Sequence, residues 1–211
     1  MELVTTAFAN GAPIPAEYAF GTVDPVRHVA LSGNRNPDFA WRGVPAQAKS
    51  LVLICHDPDV PSRGDDVNQE GRTVPAALPR VDFFHWVLVD LPPDTPAIAG
   101  GEFSSGITPR GKPGPHAPRN ARQGLNDYTG WFAGDKDMAG SYYGYDGPCP
   151  PWNDSILHHY VFTLYALDVA RLDVAGAFTG AQARAALASH VLAEASTHGI
   201  YTLNPAVALP R

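Results

Sequence analysis

The chain has 211 residues, enough for a single domain spanning 1–211 that buries roughly 70% of its unfolded surface without a metal or disulfide staple. A formal charge of -6 excludes the basic surface that nonspecific nucleic-acid binding requires. Only 17% of residues are charged, against a norm of about 25%, and 21 prolines commit much of the backbone to rigid loops, so a β-rich protein is expected. The start, Met1-Glu2-Leu3-Val4-Thr5-Thr6, lacks a basic n-region and an apolar h-region, and no 18-residue apolar run occurs. The expectation is a soluble, cytoplasmic protein with no transmembrane segment, its two cysteines, Cys55 and Cys149, being buried free thiols.

In chain order, weak strand signals fall around Phe8 and over Phe39 to Trp41. Ser50 to His56, Phe83 to Leu91 and Tyr160 to Leu167 are the strong ones: apolar, β-branched and aromatic, and nearly continuous. Continuous apolar runs imply strands covered on both faces, hence a central sheet between other layers. One segment reads as helix, from Thr179 to about His198, with apolar residues at Ala183, Ala186, Leu187, Val191 and Leu192, Thr179 as N-cap and Gly199 past the end. A last weak strand covers Ile200 to Leu203.

Loops fill the middle, where 14 of the 21 prolines lie between Pro58 and Pro151. From Ser104 to Gly130 the charges are Arg110, Lys112, Arg119, Arg122 and Asp127, a local +3 that reads either as a solvated loop or as the flank of an anion site. Gly106-Ile107-Thr108-Pro109-Arg110-Gly111-Lys112-Pro113 comes close to a phosphate-binding P-loop but fails, because Pro113 stands where a hydroxyl residue and a helix start are needed. G-x-S-x-G, H-E-x-x-H and C-x-x-C are missing, and no motif calls for a cofactor or a metal ion.

Three short runs place polar groups where buried strand is expected. Asp57-Pro58-Asp59-Val60-Pro61 follows the first strong strand and reads as a turn. His85 lies inside the second, where strict alternation groups it with Phe83, Val87 and Val89. The third is a proline-rich run followed by His158-His159-Tyr160, where His158 shares a face with Tyr160, Phe162 and Leu164, while His159 points the other way. Gly147-Pro148-Cys149-Pro150-Pro151 forms a stiff wall, with the amides of Gly147 and Cys149 free to face a ligand. A buried carboxylate beside an imidazole raises its pKa, and a protonated histidine donates to anions.

These runs, together with Asn36-Pro37-Asp38-Phe39-Ala40-Trp41-Arg42-Gly43-Val44-Pro45, Ser50-Leu51-Val52-Leu53, Phe84-His85-Trp86-Val87 and His158-His159-Tyr160-Val161-Phe162, resemble in content and order the bacterial branch of the phosphatidylethanolamine-binding protein family, which includes the Raf kinase inhibitor proteins. The resemblance implies a mostly β fold: a central antiparallel sheet, a second smaller sheet and a peripheral C-terminal helix. It also implies a pocket for phosphate-like anions at Asp57, His85, His158 and Tyr160, walled by Pro150 and the neighbouring backbone of Gly147 and Cys149. Residues 62–80 and 112–137 are longer than in shorter members, and His159 stands where many relatives have arginine.

The function expected is therefore binding of a small anion, phosphate or a phosphorylated headgroup, without catalysis, coupled to regulation of a protein partner such as a kinase. Two alternatives stand beside it. One is an enzyme, either a hydrolase using His85 with Asp57 as acid and base or a metal-dependent one using His56, Asp57, Asp59, His85 and His158, and the other a pure interaction module whose long loops carry the partner surface.

Overall fold

The computed structural model of the chain describes residues 1–210. Its strands are β1 (Glu2–Val4), β2 (Gly21–Asp24), β3 (His28–Leu31), β4 (Phe39–Arg42), β5 (Ser50–Pro61), β6 (Arg80–Leu91), β7 (Ala97–Ile98), β8 (Arg122–Gln123), β9 (His158–Leu167) and β10 (Val191–Tyr201), with short helices α1 (Tyr128–Trp131) and α2 (Gly180–Leu187). They form a five-stranded sheet in the order β10-β9-β5-β6-β8, a three-stranded sheet β1-β4-β7 and a hairpin β2-β3. Every paired strand is antiparallel to its neighbour. The fold is the expected mostly β arrangement.

The apolar runs of β5, β6 and β9 lie at the centre of the large sheet because both of its faces are covered. On one face Leu51, Leu53, Cys55, Trp86, Leu88, Phe162 and Leu164 pack against Leu3, Phe39 and Trp41 of the small sheet. On the other, Val52, Ile54, Phe84, Val87 and Val89 pack against Leu172, Phe178, Ala183 and Leu187. Each such side chain contributes about 1.5 to 3 kcal/mol by leaving water. Phe8, expected in a strand, lies in a bend yet still reaches the first core layer.

The predicted helix occupies only the first half of its span. Thr179 caps α2 through a capping box, accepting from the Gln182 amide at 3.3 Å while its own amide donates to Gln182 Oε1 at 2.9 Å. After His190 the chain becomes β10 and pairs with β9 from Val191 to Tyr201. The helix-favouring residues there yield to tertiary pairing, since β9 would otherwise be left as an open edge. Burial follows with period two: Ala193, Ala195 and Thr197 turn inward, Leu192, Glu194 and Ser196 outward.

Two bulges shape the site. Strand β5 does not stop at His56 but runs on to Pro61, with a register break between Asp57 and Val60, so the Asp57-Pro58-Asp59 run is a bulged strand rather than a turn. On β6, Trp86 opposes Cys55 and Phe84 opposes His56, which leaves His85 as the extra residue. The bulge reverses the alternation: Phe84, Val87 and Val89 share one core layer, while Trp86 and Leu88 belong to the other. His85 is therefore separated from Val87 and Val89, with which strict alternation grouped it, and is turned toward the pocket.

Candidate functional site

The Gly147–Pro151 run is held from behind. The Pro148 carbonyl accepts from the amides of Phe20 at 2.9 Å and Gly21 at 3.1 Å. The Gly147 amide donates to Asn34 Oδ1 at 2.8 Å, so it is spent on the scaffold and does not face a ligand as expected. Gly147 is required there, because a Cβ would overlap the Tyr18 carbonyl oxygen. The wall that results, Cys149, Pro150 and Pro151, borders a cavity of about 370 Å³. Asp57, His85 and Tyr160 also line it, so five of the seven expected site residues meet there.

His85 is 3% exposed, and its Nδ1–H donates to the Asp146 carbonyl at 2.8 Å. That bond fixes the tautomer and leaves Nε2 on the other side of the ring. Burial lowers the His85 pKa below 6.5, with the Asp57 charge opposing, so the ring is neutral at pH 7. Tyr160 stands edge-on to it, ring centroids 5.0 Å apart. The Tyr160 hydroxyl is buried without a hydrogen-bond partner among the described residues, and burial followed by the Asp57 charge holds its pKa well above 10. An unsatisfied buried hydroxyl costs about 1 to 3 kcal/mol.

His158 takes a different place from the one expected. It lies outside the cavity lining, and both of its nitrogens are engaged: Nδ1 with Asp57 Oδ2 at 2.7 Å and Nε2 with Asp154 Oδ2 at 3.1 Å. Burial alone would lower its pKa, but the two carboxylates outweigh this and push it from 6.5 up to about 9. The ring is thus a buried imidazolium with no donor left for a ligand. Arg80 completes the cluster, reaching Asp154 at 2.5 and 3.1 Å, the Asp59 carbonyl at 2.8 Å and the Pro75 carbonyl at 2.9 Å. Two carboxylates and two cations balance, and Asp57 presents to the cavity a charge already compensated from behind. Asp57 Oδ1 also accepts from the Asp59 amide at 2.8 Å.

His159 is turned the other way, as alternation predicts, and its Nδ1 pairs with Asp59 at 2.8 Å. Asp59 has a second bond, from the His159 amide at 2.9 Å. His56 packs on the far face of the sheet with Phe84. The histidines and carboxylates therefore do not converge on one centre, and among the described residues no three His, Cys, Asp or Glu side chains are placed to hold a metal ion.

The basic stretch does not flank the pocket with free charge. Lys112 is buried against Asp146 at 3.0 Å, Arg119 pairs with Glu102 at 2.6 Å, and Arg122 pairs with Asp90 at 2.5 Å while also donating to the Leu172 carbonyl at 2.8 Å. What the 112–137 segment brings to the cavity is aromatic: Tyr128, Trp131 and Phe132. Tyr128 donates to the Gly147 carbonyl at 2.7 Å, which locks its ring against the proline wall. The 62–80 segment adds Ser62, Arg63, Gly64, Val67 and Asn68 to the rim.

Asp146, Asp154 and Arg80 were not singled out by sequence reasoning. Asp146 holds the site together by accepting from Asn34 and Asn126, each at 2.7 Å, while its carbonyl positions His85. Asp154 is four residues before His158, a spacing that carries no signal in a loop leading into a strand. Asn153-Asp154-Ser155 has the form of a glycosylation sequon, but Asn153 is buried and its Nδ2 donates to the carbonyls of Asp66 and Arg72.

This arrangement of a central antiparallel sheet and a smaller second sheet has counterparts among known proteins. The profile described as "Phosphatidylethanolamine-binding protein" matches residues 4–202. A UPF0098 protein of Methanothermobacter thermautotrophicus is 34% identical over 201 residues, 95% of this chain and 98% of the relative. The UPF0098 protein YbhB of Escherichia coli K12 is 29% identical over 203 residues, covering 96% of this chain and all of the relative. The crystal structure of a phosphatidylethanolamine-binding protein homologue from Chlamydia trachomatis superposes with a TM-score of 0.62 at 30% identity over 95% of both chains. That of Escherichia coli YbcL, at 22% identity and covering 95% of this chain and 97% of its own, gives 0.67 and speaks for the fold. The chain belongs to the phosphatidylethanolamine-binding protein family. No helix among the described residues is long and apolar enough to cross a membrane.

Proposed function

We propose that the cavity binds a small phosphate-like anion, free or as a phosphorylated headgroup, at the corner formed by His85 and Tyr160. The observation that carries this reading is Tyr160, which lines the cavity, has a buried hydroxyl with no partner among the described residues, and stands beside an imidazole whose Nδ1 is already bonded. A donor in that state gains a hydrogen bond when an acceptor arrives, with no bond to break first. Neutral His85 becomes a second donor by taking up a proton at Nε2, and the charge-assisted bond it then makes is worth about 1.5 to 3 kcal/mol. His158 is excluded from contact and acts as a positioning residue that holds the Asp57 carboxylate in place.

Binding without turnover is the form of this function we favour. The Cys149 thiol is pushed up to about 12 by burial, so the nucleophilic thiolate is scarce at neutral pH. His158, the buried imidazole paired with Asp57 and Asp154, is bonded at both nitrogens and does not reach the cavity. Two unpaired cysteines, Cys55 and Cys149, fit a reducing, cytoplasmic setting.

The test is an NMR titration of the imidazole signals with inorganic phosphate and with phosphoethanolamine. The His85 ring signals are expected to move and those of His158 to stay in place. An unresponsive His85 at millimolar ligand contradicts the reading.

A further inference from the structure

We propose that the ligand of this cavity joins a planar aromatic group to its anionic head, as an aryl phosphate does; this rests on the anion reading of the same pocket. A phosphate has five heavy atoms, whereas a cavity of about 370 Å³ lies within the roughly 300 to 1,000 Å³ range of sites for drug-sized ligands. Most of the space therefore lies beyond the His85 and Tyr160 corner, and one side of it is built of rings. Phe20 stacks on Tyr128 at 4.8 Å and 19°, and Tyr128 stacks on Phe132 at 5.4 Å and 22°. Phe83 meets Tyr128 edge-on at 5.3 Å and 83°.

The stack is rigid before any ligand arrives. The Tyr128 hydroxyl is bonded to Gly147 and its amide to Asn126 Oδ1 at 3.1 Å, and the Phe20 amide is bonded to Pro148. A pre-organised wall of flat faces and edges rewards a second flat ring through quadrupole geometry in addition to buried area. A flexible alkyl chain of similar area obtains the burial alone and loses rotamer freedom on confinement. The mouth continues the theme, because Trp131 and Leu31 line the cavity while remaining 55% and 63% exposed. A ring passing between them toward the corner would cover apolar surface that water now touches.

Calorimetric titration of the intact chain with phenyl phosphate, n-hexyl phosphate, ethyl phosphate and phenol tests this. Phenyl phosphate is expected to bind at least tenfold tighter than ethyl phosphate and at least threefold tighter than hexyl phosphate, with phenol at least tenfold weaker than phenyl phosphate. Equal affinity for phenyl and ethyl phosphate, or tighter hexyl binding, overturns the aromatic preference while leaving the anion reading intact. Phenol binding as tightly as phenyl phosphate overturns the anion reading and, with it, the two-part ligand. Phe132→Leu is expected to lower the phenyl-over-ethyl ratio roughly three- to tenfold. Trp131→Leu, at an exposed position, is expected to lower the ratio by roughly threefold, and serves should Phe132→Leu fail to fold. An unchanged ratio in a folded variant overturns the proposal.

Discussion

Raising the pH from 6.5 to 9.5 should destabilise this protein, with the largest single contribution from one buried imidazolium, His158. His158 is held protonated between Asp57 and Asp154, with a pKa of about 9 against 6.5 for a free imidazole. Its folded pKa lies above the unfolded one, so its contribution is complete below pH 6.5, declines above it and is gone once the pH has passed about 9. A rise from 6.5 to about 9, at about 1.4 kcal/mol for each pH unit, amounts to about 3 kcal/mol. Urea unfolding reads this directly: at an m-value of about 2 to 3 kcal/mol/M the midpoint falls by roughly 1 M or more. His158→Gln supplies the control, because it cannot titrate. The stability gap between wild type and the variant should therefore shrink by about 3 kcal/mol between pH 6.5 and 9.5. A gap that stays constant across that range refutes the imidazolium assignment, as would an NMR titration placing the His158 pKa near 6.5.

Three further predictions concern the pocket and its wall. Tyr160→Phe removes an unsatisfied buried hydroxyl, so the ligand-free protein should gain about 1 kcal/mol in urea unfolding while sulfate binds more weakly in calorimetry. Sulfate affinity should fall by up to tenfold per pH unit above the pKa of empty His85, which burial places below 6.5, because the bound ring takes up a proton; calorimetry from pH 5.5 to 8 checks this, sulfate keeping a constant charge throughout. Gly147→Ala should cost about 3 kcal/mol by driving a methyl group into the Tyr18 carbonyl, whereas Gly134→Ala, with open space around it, should stay within about 0.5 kcal/mol in the same assay.

Apolar content made the central sheet legible, because β5, β6 and β9 are buried on both faces and their sequences leave few alternatives. It misled at β10, where Leu192, Ala193, Glu194 and Ala195 favour helix locally and only the unpaired edge of β9 decides for strand. At the site, residue identities were legible and orientations were not. Alternation served for His158, Tyr160 and Phe162, which share a face of an unbulged segment of β9. It failed for His85, because one extra residue on β6 shifts the pattern, and no local signal marks a bulge set by pairing with β5. The role of His158 depended on Asp154, which reaches it from a loop, and on Arg80, which holds Asp154 from the start of another strand. The positive stretch misled in a related way, since acids distant in sequence, Glu102, Asp90 and Asp146, pair with three of its four basic residues.

A crystal soaked in sulfate at pH 5.5 tests the central claim most directly. An anion is expected within hydrogen-bonding distance of both His85 Nε2 and the Tyr160 hydroxyl, with His158 still bridging Asp57 and Asp154. An anion bound elsewhere, or His158 swung out to meet it, would contradict the account.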